Sequence, residues 1–237
     1  MTEDRLPMFN PERPPEISAQ RWLNSDKKRT LKAEQGKVVV VAIWQLTCPG
    51  SQKYGLPQAM RLRRAFDERE VAVFGLHMAF EKFAEQSPEK VEAYLAENDI
   101  TIPVALDKPD GENLPETMRA YELQGTPAML IFDRQGRLRR HYLGAVDDLR
   151  IGAEVMALLI EDKGSPREMS IAIESKLAAA LVDPEAHGHD HEHGDACGCG
   201  HDHSHDHGHD HDHDHHHHDH EHDHGEPGHV HGPDCKH

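Results

Sequence analysis

The pattern of apolar and polar positions predicts strands that alternate with helices. Residues Val38–Trp44 form a continuous apolar run rich in β-branched side chains, which is typical of a strand buried on both faces. Further strands are predicted at residues 71–78, 103–106, 128–132 and 138–142, the last two joined as an antiparallel hairpin by a turn at 133–136. A mixed sheet is therefore expected at the centre of the domain.

Apolar residues at helical spacing, together with capping residues, occupy the intervals between these strands. The predicted helices are 51–67 with a kink at Pro57, 88–98 capped by Ser87, 115–123, a helix capped by Asp147 or Asp148 with Ile151, Val155, Leu158 and Leu159 on one face, and 167–181. Residues 1–20 contain four prolines, which favours an extended lead-in, and Trp22 and Leu23 are expected at the domain edge. The order of elements predicts an α/β sandwich.

The composition changes sharply near Asp183. Residues 183–237 contain 21 of the 23 histidines and 15 acidic residues, and they have almost no large apolar side chain. Such a segment cannot bury enough apolar surface to offset chain entropy, so it is predicted to be disordered. The predicted organisation is a lead-in at 1–20, a domain at 21–162, an additional helix at 163–182 and a tail at 183–237.

Charge and cysteine content narrow the class of protein. The net charge of −17 belongs mostly to the tail, because residues 1–182 hold 28 acidic and 25 basic side chains. The domain therefore shows no electrostatic preference for nucleic acid or membrane. No apolar run has the length of a signal sequence or a membrane span, and three of the four cysteines lie in the tail, so a cytoplasmic location is expected.

The candidate chemistry of the domain centres on Cys48. This residue follows the apolar run and precedes the first predicted helix, where the helix dipole and free backbone N–H groups stabilise a thiolate. The alternative is a buried structural cysteine. Two features favour a reactive thiol: Pro49-Gly50 makes a turn that leaves the sulfur accessible, and Gly125-Thr126-Pro127 precedes a strand, where a cis proline is plausible.

Several segments in the same order resemble a known family. These are PEISAQRWLNSDKKRTLKAEQGKVVVVAIWQLTCPGSQKYGLPQ, VAVFGLHMAFE and MRAYELQGTPAMLIFDRQGRLRRHYLG. They resemble thioredoxin-like thiol-disulfide oxidoreductases of the TlpA and redoxin (AhpC/TSA) group over about residues 15–161. The resemblance implies a thioredoxin fold, in which helices flank a central mixed sheet, and a reaction with disulfide-bearing or thiol-bearing proteins or glutathione that needs no cofactor.

The resemblance also implies roles for individual residues. Cys48 matches the attacking cysteine, and Ser51 stands where the family has its resolving cysteine. Pro127 matches the cis proline, and the backbone of Thr126 the segment that pairs with a bound substrate. Trp44 matches an aromatic residue beside the active site, with core packing as the alternative. Because serine supplies no second thiolate, a mixed disulfide at Cys48 would persist until another thiol arrives.

A monothiol peroxidase is a weaker interpretation of the same resemblance. Peroxiredoxins place a threonine three residues before the reactive cysteine and use a later arginine to hold the peroxide. Position 45 is glutamine, and Gly125-Thr126-Pro127 stands where the arginine segment is expected. Oxidation of Cys48 to a sulfenic acid remains compatible with this loop.

The tail predicts a second chemical site. Imidazoles, carboxylates and thiolates suit Zn, Ni or Cu, and a flexible segment can gather four ligands several times over. The alternative is a solubilising tail with incidental affinity for metals. Cys197 and Cys199 are also candidates to resolve Cys48. A different function follows if metal handling dominates: storage or delivery of metal, with a non-catalytic docking domain. The predicted ligands are His187, His189, His191, His193, Cys197, Cys199, His201, His203, His205, His207, His209, His211, His213, His215, His216, His217, His218, His220, His222 and His224.

Overall fold

The computed structural model describes residues 9–109, 114–162 and 164–181. Six strands form one sheet, with helices between them in the chain. The strands are β1 Ala19–Leu23, β2 Val38–Trp44, β3 Val71–His77, β4 Val104–Asp107, β5 Ala128–Phe132 and β6 Leu138–Leu143. The α-helices are α1 Leu56–Ala65, α2 Pro88–Glu97, α3 Glu116–Ala120, α4 Asp148–Ile160 and α5 Arg167–Ala180. The predicted alternation of strands and helices is confirmed.

The sheet has the strand order β1-β4-β3-β2-β5-β6, so β2 lies in its interior. Strand β2 runs parallel to β3 and antiparallel to β5, and every one of its residues is buried. Val38, Val40 and Ala42 pack into one apolar cluster, whereas Val39, Val41 and Ile43 pack into another. The two-faced burial predicted for this strand is confirmed, and it fixes the end from which Cys48 projects.

Strand β1 was not predicted, and the boundary placed at residue 20 falls inside it. Strand β1 pairs antiparallel with β4 at the edge of the sheet, and only its last residue, Leu23, is fully buried. Its apolar residues Trp22 and Leu23 are consecutive and pack on two different clusters, and the pairing with β4 shifts register between Ala19 and Arg21, so the sequence shows no alternation of apolar and polar positions here. The segment before it also packs on the domain: Ile17 is buried, and Ser18 N–H donates to Thr117 Oγ1 at 2.9 Å.

The first predicted helix consists of two different segments. Residues Ser51–Gly55 form a wide, π-type turn, and a regular α-helix follows from Leu56 to Ala65. Pro57 is the physical reason, because it has no N–H to donate to the carbonyl of Lys53. A short 3₁₀ segment at Phe83–Glu85 was not predicted. The predicted cap at Ser87 is confirmed, and the cap of α4 is Asp147, which accepts from Leu149 and Arg150 N–H.

A buried ionic cluster joins α5 to the rest of the domain. The Arg139 guanidinium on β6 is 4% exposed and donates to Glu161 at 2.7 Å and to Glu174 of α5 at 2.6 Å. Asp133 accepts from Arg139 at 3.0 Å and from Arg137 at 2.7 Å. Because each buried charge has an opposite partner, the cluster fastens α5 against β6 and the end of α4. None of the helices in these ranges has the length and apolar character required to cross a bilayer.

Candidate active site at Cys48

Cys48 lies in the loop that leaves β2, immediately before the π-type turn. Its backbone N–H donates to the Gln45 carbonyl at 3.1 Å, and its own carbonyl accepts from Gln52 N–H at 3.2 Å. The Ser51 N–H points at the Cys48 sulfur from 3.4 Å, and the cysteine is partly exposed. The predicted placement, a reachable sulfur facing free N–H groups at the start of a helical segment, is therefore what the structure shows.

A second loop closes over the sulfur. The Thr126–Pro127 peptide bond is cis, and the Cys48 thiol donates to the Thr126 carbonyl at 3.3 Å. Gly50 and Gly55 allow Pro127 to lie this close to the Cys48 loop. A Cβ on Gly50 would lie 3.1 Å from Pro127 Cδ, and a Cβ on Gly55 would lie 3.0 Å from Pro127 Cβ. The structure thus brings together Cys48, Ser51, Thr126 and Pro127, which are four of the five residues predicted for this site.

Ser51 is fully buried and contacts the sulfur directly. Its hydroxyl oxygen accepts from Gln45 N–H at 3.3 Å, which leaves the hydroxyl proton for Cys48. Partial burial raises the pKa of Cys48, but hydrogen bonds from Ser51, Thr126 and the Gly50 backbone outweigh burial, so the net pKa lies below the ordinary value. Ser51 therefore stabilises a thiolate at the position from which a cysteine would attack a mixed disulfide.

Trp44 is in the core of the domain. Its ring is fully buried and makes an edge contact with His77 at a centroid distance of 4.9 Å and a tilted contact with Tyr94 at 5.9 Å. Its indole N–H has no hydrogen-bond partner among the residues that the structure describes. This is the core-packing position named above as the alternative to an aromatic residue beside the thiol.

Two residues that sequence reasoning missed support the active-site loop. The Gln86 side chain is 4% exposed, and its Oε1 accepts from Leu46 N–H at 3.0 Å, two residues before Cys48. The same oxygen lies 3.2 Å from His77 Nε2, and burial lowers the pKa of His77 to about 4, although its bond to Gln86 opposes the shift. The sequence contains little indication that either residue belongs to the site. His77 is the one polar side chain at the end of an apolar strand, and Gln86 lies forty residues from Leu46 in the loop.

The predicted metal ligands, from His187 to His224 with Cys197 and Cys199, lie outside the described residues. Within the ranges given above, no three His, Cys, Asp or Glu side chains come together in a way that could hold a metal ion.

Comparisons with known proteins agree with this geometry. The AhpC/TSA family model matches residues 12–141. A crystal structure of the thioredoxin-like superfamily protein SPOA0173 is 42% identical, with a TM-score of 0.62 over 64% of this chain and 97% of that one. A thiol-disulfide isomerase from Corynebacterium glutamicum is 39% identical, with a TM-score of 0.60 over 62% of this chain and 96% of that one. The predicted thioredoxin-like fold is confirmed.

Curated relatives match the same part of the chain. The thiol-disulfide oxidoreductase YkuV of Bacillus subtilis is 27% identical over 131 residues, which make up 55% of this chain and 82% of YkuV. Protein DipZ of Mycobacterium tuberculosis is 31% identical over 131 residues, or 53% of this chain, but the match spans only 17% of DipZ.

Proposed function

The chain belongs to the AhpC/TSA family, and from this premise we propose that it is a thiol-disulfide oxidoreductase that uses the single thiol Cys48. The observation that carries the proposal is the environment of the sulfur. It is partly exposed, it faces the cis Thr126–Pro127 bond, and it receives hydrogen bonds from Ser51 that lower its pKa. A thiolate held in this way is a nucleophile for disulfides.

The proposed reaction has two thiol-disulfide exchanges. The Cys48 thiolate attacks one sulfur of a disulfide in a partner protein or in oxidised glutathione, which forms a mixed disulfide and releases the other sulfur as a thiol. A second thiol, from glutathione or a protein, then attacks the mixed disulfide and releases Cys48. Ser51 has no sulfur and cannot carry out this second step, so the mixed disulfide waits for the incoming thiol. The exchange itself requires no cofactor.

Residues 183–237 are proposed to bind Zn, Ni or Cu. The support is the sequence, in which histidines alternate with carboxylates and two cysteines stand at Cys197 and Cys199. We also propose that one of these two thiols is a candidate for the second thiol of the exchange, and that the protein is cytoplasmic. The latter rests on the low number of cysteines in the domain.

The test of the thiol proposal is trapping of the mixed disulfide. The full chain with Cys197, Cys199 and Cys235 replaced by serine, which leaves Cys48 as its one thiol, is treated with oxidised glutathione and analysed by intact mass spectrometry. We expect one glutathione adduct, mapped to Cys48, that persists until a thiol is added. The matched control also carries Cys48→Ser. If Cys48 forms no adduct when folded but does so in urea, the proposed function is wrong.

The test of the metal proposal compares the full chain with a chain that ends at Val182, by calorimetric titration with Zn²⁺ and Ni²⁺. The full chain is expected to bind several ions near pH 7.5, and the shortened chain few or none. Binding should fade below about pH 6, where most imidazoles are protonated. Equal binding by the two chains would contradict this part of the proposal. If the full chain binds metal while Cys48 is inert toward disulfides, metal storage or delivery becomes the favoured function.

A further inference from the structure

A cavity of about 310 Å³ lies beyond the carboxyl ends of β3 and β4. Crevices at the carboxyl ends of parallel strands are where α/β folds bind ligands, and this volume is at the lower end of small-ligand sites. The cavity walls are mainly apolar, formed by Phe83, Pro88, Pro109 and Pro115 among others, and polar side chains from His77, Gln86 and Asp107 reach them. The cavity therefore combines flat apolar surfaces with few polar groups.

The cavity shares a wall with the active-site loop. Gln86 lines the cavity and also accepts from Leu46 N–H at 3.0 Å. Leu46 is two residues from Cys48, a distance of at most about 7 Å along the chain. The shared wall thus lies within roughly 10 Å of the backbone of Cys48, which is no more than about three residues of an extended peptide.

The hydrogen bonds of Gln86 fix the tautomer of His77. Gln86 Nε2 donates to the Glu81 carbonyl at 2.7 Å, so Oε1 is the acceptor end of the amide. His77 Nε2, 3.2 Å from that oxygen, must therefore carry the proton. Since burial lowers the pKa of His77 to about 4, the ring is neutral near pH 7, and Nδ1 has a free lone pair.

In the described part of the chain, His77 Nδ1 accepts no hydrogen bond. The His77 side chain is 3% exposed and lines the cavity, and its one hydrogen bond within the described residues is the bond from Nε2. The Asp107 carboxylate, in contrast, already accepts from Thr117 Oγ1 at 2.7 Å and from the backbone N–H groups of Lys108, Thr117 and Met118. An acceptor on a side chain that lines a cavity, with no partner in the described residues, favours a ligand that brings one donor.

We propose that this cavity binds an aromatic ring that carries a single N–H or O–H donor, with the donor on His77 Nδ1. Flat walls of proline and phenylalanine suit an aromatic ring, and indole and phenol groups need one acceptor when they are buried. The inference builds on the proposed function: the ring is the tryptophan or tyrosine side chain of a disulfide-bearing partner, two to three residues from the cysteine that Cys48 attacks. The cavity then selects which disulfides react.

Binding of the ring is tested without any redox reaction. The full chain, with a chelator present, is titrated with indole and with benzothiophene, which has the same shape but no N–H. We expect indole to bind about 5-fold more tightly, as one hydrogen bond predicts, and to shift the ¹⁵N resonance of His77 Nδ1. The preference should vanish in His77→Phe and persist in His141→Phe, a control on β6 outside this cavity. Equal binding of the two compounds with no ¹⁵N shift in the wild-type protein overturns the proposal.

The source of the ring is tested with peptides. Disulfide-bearing peptides with tryptophan or leucine two or three residues from the cysteine are reacted with the chain that retains Cys48 alone. The second-order rate constant for formation of the mixed disulfide is compared with that for oxidised glutathione. We expect the tryptophan peptide to react several-fold faster than the leucine peptide. In His77→Phe the ratio of the two peptide rates should fall to about one, with the glutathione rate of the same variant as the reference for any change at Cys48 itself. Indole binding without any peptide preference assigns the cavity to a free small aromatic instead. Indole binding with no reaction of Cys48 toward any disulfide refutes the proposed function but leaves the cavity site standing.

Discussion

Replacement of Ser51 by alanine tests whether the serine hydroxyl stabilises the Cys48 thiolate. The side chain is fully buried, and its hydroxyl joins Gln45 N–H on one side to the Cys48 sulfur on the other. The substitution removes one hydrogen bond to the thiolate while the Ser51 N–H, 3.4 Å from the sulfur, stays in place. The change in the pKa of Cys48 therefore reports the contribution of the Ser51 hydroxyl alone.

The size of the effect follows from the exposure of the sulfur. Hydrogen bonds to charged groups contribute about 1.5–3 kcal/mol, and the lower end applies because Cys48 is partly exposed to water. Since about 1.4 kcal/mol corresponds to one pKa unit, the pKa of Cys48 should rise by about 1 in Ser51→Ala. A smaller thiolate fraction at pH 7 then slows alkylation of the thiol, by at most about ten-fold.

The assay is the pH dependence of the iodoacetamide reaction, measured on the chain in which Cys48 is the one remaining thiol. Ser175→Ala is the matched control, because Ser175 Oγ donates to the Ile171 carbonyl on exposed α5. The wild type and the control should share one inflection, and Ser51→Ala should titrate about one unit higher. An inflection that stays within about 0.3 units of the wild type would refute the argument.

Three further predictions follow from other contacts. Ser51→Cys should place a second thiol at a fully buried position beside Cys48, where it can attack the glutathione adduct. Mass spectrometry should then show a short-lived adduct and an intramolecular disulfide. A persistent adduct would count against this geometry. Arg139→Met leaves Asp133 and Glu161 as buried carboxylates without this partner, so it should lower the free energy of unfolding, measured in urea, by about 3–5 kcal/mol. The control, Arg64→Met at an exposed position, should lower it by under about 0.5 kcal/mol. Similar losses in the two variants would argue against the ionic cluster. The unfolded chain protonates His77 near pH 6.5 but the folded chain only near pH 4, so the free energy of unfolding falls as the pH drops through this window. Between pH 7 and 4.5 the wild type should lose about 2–3 kcal/mol more of this free energy than His77→Phe. Equal losses would show that His77 is not held neutral.

The sequence predicted those parts of the fold and site that have a local chemical signature. Strand β2 was identified by its β-branched run, and Pro127 by a threonine-proline pair before a strand; both agree with the structure. Strand β1 was missed because its apolar residues Trp22 and Leu23 are consecutive, which produces no alternating pattern in the sequence. In each correct case, one short segment contained the whole pattern.

Contacts between residues far apart in the chain, and the direction in which a strand turns its side chains, explain the site features that the sequence did not reveal. Gln86 reaches the Cys48 loop only because the chain returns to the end of β3, and no spacing in the sequence connects it with Leu46. Trp44 shows the reverse: its position next to the loop suggested a role at the thiol, but β2 turns its ring into the core against His77 and Tyr94. The face of the strand decided the position of Trp44, and the return of the chain decided that of Gln86.

The close packing of Gly50 and Gly55 against Pro127 also limits how this active site can change by mutation. A side chain at either glycine would press on the proline ring, so substitutions there must be accompanied by movement of the opposite loop. Position 51 is under no such restriction, because cysteine differs from the buried serine by one atom. A single replacement therefore separates this chain from a two-thiol sequence, whereas the loop around that position can diversify only through coupled changes.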